Sequence, residues 1–90
     1  MVKFKVIATE DNITITLAEV RSTKKLIIEK SDLNENIKMV STDSIYDEIR
    51  NQIKKTYGVE TVKIKFDIDN ETKIKIASIA RHNKDTFDAM

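Results

Sequence analysis

The chain has no cysteine, no proline and no tryptophan, and only one glycine and one histidine among its 90 residues. Each shortage removes a class of chemistry. Without cysteine there is neither a disulfide framework nor a thiolate metal site. A lone histidine excludes a multi-histidine zinc site, and His82 with Asp85 or Asp88 is an incomplete ligand set. A single glycine, Gly58, excludes the glycine-rich loops that cradle phosphates, and with them the usual nucleotide fingerprints. The opening "MVKFKVIATE" interrupts its apolar residues with lysine at alternate positions, so it has neither a signal-peptide core nor a membrane span. We read from this a cytoplasmic protein, complete as given.

Charge of one sign is also missing. Sixteen basic and fifteen acidic residues leave a net charge of +1, and they nearly cancel within each half: seven against seven up to residue 45, nine against eight beyond it. There is therefore no basic arm or acidic tail. A hydrophobic share of 40% with 34% charged residues describes one small globular domain, placed at residues 1–81 with a C-terminal tail at 82–90. Abundant isoleucine, lysine and asparagine without proline point to an AT-rich genome, such as that of a low-GC bacterium, a phage or an archaeal element.

What is present is periodicity. Val2, Phe4, Val6 and Ala8 alternate with Lys3, Lys5 and Ile7, and Ile13, Ile15 and Leu17 alternate with Thr14 and Thr16, the pattern of two half-buried strands. A two-residue turn at Asp11 and Asn12 pairs Ala8 with Ile15 and Val6 with Leu17. "RSTKK" reads as a second turn and "LIIEK" as a third strand, while residues 32–40 form an irregular strip whose Ile37, Met39 and Val40 need cover. In "STDSIYDEIRNQIKKTYG", Ile45, Ile49 and Ile53 recur every four residues behind capping candidates at Ser41, Thr42 and Asp43. Gly58 follows where a helix needs a left-handed stop.

The stretch "VKIKFDIDNETKIKIA", residues 62–77, returns to period 2 and reads as a hairpin of two further strands. With Ile68 opposite Ile74, Asp69 meets Lys73 and Asp67 meets Lys75; the other in-phase register sets Lys65 against Lys75, so charge favours the first. The apolar phase then slips at "ASIA", which puts Ile79 on the lysine side. The expected fold is therefore α+β, a mostly antiparallel five-stranded sheet with one helix in the order β-β-β-α-β-β.

No catalytic constellation emerges. "DIDNETK" begins like a calcium loop, but its sixth position is Thr72 and its twelfth Ser78, where glycine and glutamate are required. His82 with Ser78 or Asp85 could form a catalytic pair only without any nearby oxyanion or phosphate cradle. We expect no catalytic residue, no cofactor, no metal, no membrane contact and no small-molecule ligand. A five-stranded sheet is roughly 20–25 Å wide and a helix about 10–12 Å across, so one helix leaves apolar surface uncovered. That shortfall points to a small non-enzymatic interaction protein, a regulator or adaptor, binding another protein or a second copy of itself through its sheet face or edge. The candidate binding residues are Lys3, Lys5, Lys63, Lys65 and Ile79. The competing reading is a nucleic-acid-binding module that uses the same lysine-bearing face; against it stand the near-neutral charge and the aromatics, Phe4 and Phe66, that alternate into the apolar side.

Overall fold

Alternation in the first seventeen residues builds an antiparallel hairpin of β1 (Val2–Ala8) and β2 (Asn12–Leu17), as expected. A computed structural model of the chain describes residues 1–19 and 24–90. The hairpin register differs by two residues from the expected one: Ala8 faces Ile13, Val6 faces Ile15 and Phe4 faces Leu17. The turn residues are Glu10 and Asp11, because the Thr9 N–H donates to the Asn12 carbonyl at 2.8 Å and the Thr9 hydroxyl accepts from the N–H groups of Asp11 and Asn12. A shift of two keeps every side chain on its expected face. The turn expected at "RSTKK" lies, apart from Lys24 and Lys25, outside the described residues.

β3 (Leu26–Glu29) pairs antiparallel with β2 and runs straight into α1 (Lys30–Asn34). Leu33 in α1 and Met39 in the strip after it are buried, whereas Ile37 in that strip stays exposed. α2 (Thr42–Tyr57) is the helix read from the sequence. The Ser41 hydroxyl accepts from the Ser44 N–H at 3.1 Å, Ile45, Ile49 and Ile53 are buried, and Gly58 ends the helix at φ 71°. Tyr57 packs edge-on against Phe4, 5.1 Å between centroids, and its hydroxyl donates to the Lys24 carbonyl at 3.0 Å. Burial raises the pKa of that phenol, so it remains the protonated donor.

The second half departs from expectation. A 3-10 turn (Thr61–Lys63) leads into β4 (Ile64–Ile68), which pairs parallel with the central strand β1, and residues 70–88 form α3 (Asn70–Asp88). Among the described residues the sheet is thus four-stranded and mixed, in the order β3-β2-β1-β4, with three helices, not five-stranded and mostly antiparallel with one helix. The hairpin of Asp67 and Asp69 with Lys75 and Lys73 does not form. The reason is visible in the burial of α3: Thr72, Ile76, Ile79, Ala80 and Asn83 are buried, a helical stripe, while Ile74, in phase with Ile76 as a strand residue, is 66% exposed. The slip at "ASIA" marks helical period rather than a bulge. Residues 82–88 continue this helix rather than forming a separate tail. Among the described residues no helix is long and apolar enough to cross a membrane.

All three helices contribute to one core with Phe4, Val6, Ala8, Ile13, Ile15, Ile28 and Ile64 from the sheet. α3 supplies cover that a single helix could not, and the expected shortfall on this face shrinks to the β4 edge, where Phe66 and Ile68 stay half-buried. The junction of α3 with the strip depends on Asn83, fully buried, whose amide donates to the Leu33 and Met39 carbonyls at 3.1 and 2.8 Å. Its own Oδ1 has no partner among the described residues. Asn83→Ala strands two carbonyls but also removes an unpaired oxygen, so the expected loss is about 1–2 kcal/mol, the lower part of the range for such losses. Urea unfolding measures this; a variant as stable as wild type would show that the strip is held by apolar contacts alone.

Candidate functional site

The alternation of β1 assigns its odd-numbered residues to the side away from the helices, and strand pairing extends that surface across the sheet. Lys3 lies directly opposite Lys65 on β4, Lys5 lies between Asp67 and Thr16, and Ile7 shares a row with Thr14 and Ile27. Ile7 and Ile27 are 40% and 52% exposed, and no described helix packs over this face. The result, among the described residues, is a bare sheet face with a lysine corner at β1 and β4 and an apolar row across β1, β2 and β3.

Three of the five expected binding residues therefore come together. Lys3, Lys5 and Lys65 take part in no ion pair within 4.0 Å among the described residues. Lys3 and Lys65 are a directly opposed like-charge pair, an arrangement that destabilises the sheet slightly. Lys63 sits in the 3-10 turn below β4, 3.8 Å from Glu60. Ile79 does not belong: at 4% exposure it is a core residue of α3, on the far side of the sheet. The error has the same source as the missing helix, since only a strand would turn Ile79 towards the lysines.

Among the described residues the face has no aromatic ring. Phe4 and Phe66 point into the helix layer, where Phe66 meets Tyr46 at 6.0 Å and carries the Arg50 guanidinium 4.9 Å from its centroid. A stacking platform for bases is therefore absent from the side that bears the lysines.

A second concave region lies at the carboxyl end of β1, a cleft of about 600 Å³ between the β1–β2 turn, the start of α1 and one side of α3. Glu10, Asp11, Lys30, Lys75, Ser78 and His82 line it. Ser78 and His82 are neighbours one turn apart, as their spacing requires. Neither makes a side-chain hydrogen bond among the described residues, and no group orients the imidazole, so the pair lacks the base–orienter geometry that nucleophilic catalysis uses. Lys75 is already committed, to Glu71 at 3.2 Å and to the Ala8 carbonyl at 3.4 Å. No signal in the sequence predicted this cleft, because it joins residues 10 and 82 through tertiary packing alone.

Asp69 stands between the two regions. Its carboxylate accepts from the Thr72 N–H at 2.8 Å and caps α3. That backbone hydrogen bond, then the Thr72 side chain, then the charges of Lys5 and Lys75, hold its pKa below the ordinary aspartate value. A depressed carboxylate pKa contributes stability above the unfolded-state value and loses it as pH falls through the folded-state value. Asp69→Asn keeps a capping oxygen but not the charge. In dilute protein, the wild type should melt higher than this variant at neutral pH, and the gap should close below about pH 4. A gap independent of pH would show that the Asp69 charge contributes nothing.

Comparison with protein-family models, with curated proteins and with solved structures finds no match to this chain.

Proposed function

We propose that the protein is a cytoplasmic, non-enzymatic interaction module whose bare sheet face binds an acidic, amphipathic segment of another protein. The observation that carries this reading is the juxtaposition on one uncovered face of Ile7 and Ile27, flanking Thr14, with the opposed pair Lys3 and Lys65. Apolar side chains on a solvent face favour burial by a partner, and the lysine corner selects carboxylates on that partner.

Size narrows the partner. Four strands at about 4.8 Å spacing and about 17–20 Å in length present only about 300 Å², well short of the roughly 800 Å² per side of a standard protein interface. A single helix, about 10–12 Å across, matches the face better than a globular surface does. The nucleic-acid reading has the same lysines in its favour but neither aromatic stacking nor a charge excess, so it ranks second.

A peptide-display selection against the wild-type protein, with binding of the recovered peptides measured by fluorescence anisotropy, tests this. We expect sequences that combine Asp or Glu with apolar residues at helical spacing. Their affinity should fall about tenfold with Ile27→Asp or Lys3→Glu, the size of effect expected where a central contact is removed. Peptides that ignore both substitutions would overturn the reading. Oligonucleotide binding at low salt that weakens steeply as salt rises would favour the nucleic-acid alternative instead.

A further inference from the structure

β4 is the last strand of the sheet: β1 pairs with one edge, and no described residue pairs with the other. Its inward side is incompletely covered as well. Phe66 and Ile68 are half-buried, whereas Phe4 and Val6 on β1 are fully buried. They border an open groove of about 290 Å³ shared with Tyr46, Arg50 and Lys73. The edge thus offers unpaired backbone groups together with an accessible apolar strip, the two requirements for adding a strand.

The sequence of the edge specifies which strand. About Phe66 it is symmetric in its apolar residues, Ile64 and Ile68, and antisymmetric in charge, with Lys63 and Lys65 before and Asp67 and Asp69 after. A second β4 laid antiparallel about a two-fold axis at Phe66 places Lys65 opposite Asp67 of the second copy and Ile64 opposite Ile68 of the second copy, with each pairing repeated by symmetry. Just beyond the ladder, Lys63 comes beside Asp69 of the second copy. The two Phe66 rings meet on the helix side. Shifting the axis to Lys65 opposes lysine to lysine, and shifting it to Asp67 opposes aspartate to aspartate. Charged edge strands ordinarily resist pairing; here the charges exclude the neighbouring registers and admit one.

We propose that the protein forms a homodimer by antiparallel pairing of β4 with β4 of a second copy, centred on Phe66, which joins the two sheets into one of eight strands. Such an interface is isologous, each lysine meeting the aspartate whose symmetry mate meets its own. The inference shares only Lys65 with the ligand proposed for the sheet face; it rests on the edge and not on Ile7, Ile27 or Lys3.

Sedimentation velocity on charge-swapped variants tests it. Lys65→Asp alone opposes two carboxylates across the interface, and Asp67→Lys alone opposes two lysines; each should raise the dimer dissociation constant at least about tenfold, since like charges juxtaposed at an interface are strongly unfavourable. The double variant K65D/D67K restores both pairs and should dimerise like wild type. An equimolar mixture of the two single variants should form a heterodimer. Circular dichroism melts establish that each variant is folded. Because the chain has no cysteine, Phe66→Cys gives an independent measurement: oxidation should yield a covalent dimer, whereas Ile27→Cys should not. A wild-type protein that is monomeric at high micromolar concentration would overturn the proposal. So would single variants that dimerise unchanged, or a folded double variant that does not dimerise.

Discussion

The buried hydroxyl of Thr72 accepts from the Ala8 N–H at 3.3 Å, while the Thr72 N–H donates to Asp69. This junction ties the end of the central strand to the first turn of α3, and the rest of the architecture depends on it. A strand end buried under a helix leaves a backbone donor without water, and an unpaired group there is penalised. Thr72 supplies the partner for Ala8, and Lys75 donates to the Ala8 carbonyl. Once Asp69 has capped α3, the chain cannot turn back as a fifth strand. β4 is then left as the sheet's edge, and α3 closes the core on the helix side, so no described residue is left to cover the lysine-bearing face.

How much of this was legible in the sequence follows from which signals are local. α2 was readable from end to end, because Ser41, the isoleucines at four-residue spacing and Gly58 are all local and agree. β1 and β2 were readable for the same reason, although the turn was misplaced by one residue because Thr9, not Asp11 or Asn12, organises it through its hydroxyl. α3 was missed because Ile74 and Ile76 imitate a strand, while two members of its buried stripe, Thr72 and Asn83, are polar. Burial of a polar residue is decided by a tertiary partner, Ala8 for one and Leu33 with Met39 for the other. Apolar periodicity cannot register such partners.

The site shows the same division. Alternation alone assigned Lys3, Lys5 and Lys65 to solvent faces. That these faces are one face, with Lys3 opposite Lys65, requires the parallel pairing of strands about sixty residues apart, which nothing local encodes. The expected pairing of Asp67 and Asp69 with lysines further along the chain was wrong in its partners. Asp67 instead lies opposite Lys5 across the sheet, and Asp69 is a helix cap.

Lys65 links the two surfaces, and the link bears on what the protein can hold. Within one chain it faces Lys3, an unfavourable pair. Pairing of two β4 edges gives Lys65 a carboxylate neighbour on its other side, which offsets that repulsion without covering Lys3, Lys5, Ile7 or Ile27. A two-fold axis perpendicular to the sheet also keeps both bare faces on the same side. Two faces of about 300 Å² then lie side by side as one platform of about 600 Å², much nearer the roughly 800 Å² per side that specific recognition commonly uses. On a single chain the face suits one short helix and a weak affinity. Joined across β4 it suits a longer segment, or two copies of a short one whose second attachment is intramolecular. Edge and face share Lys65, and in the proposed dimer pairing at the edge sets how large a partner the face can hold.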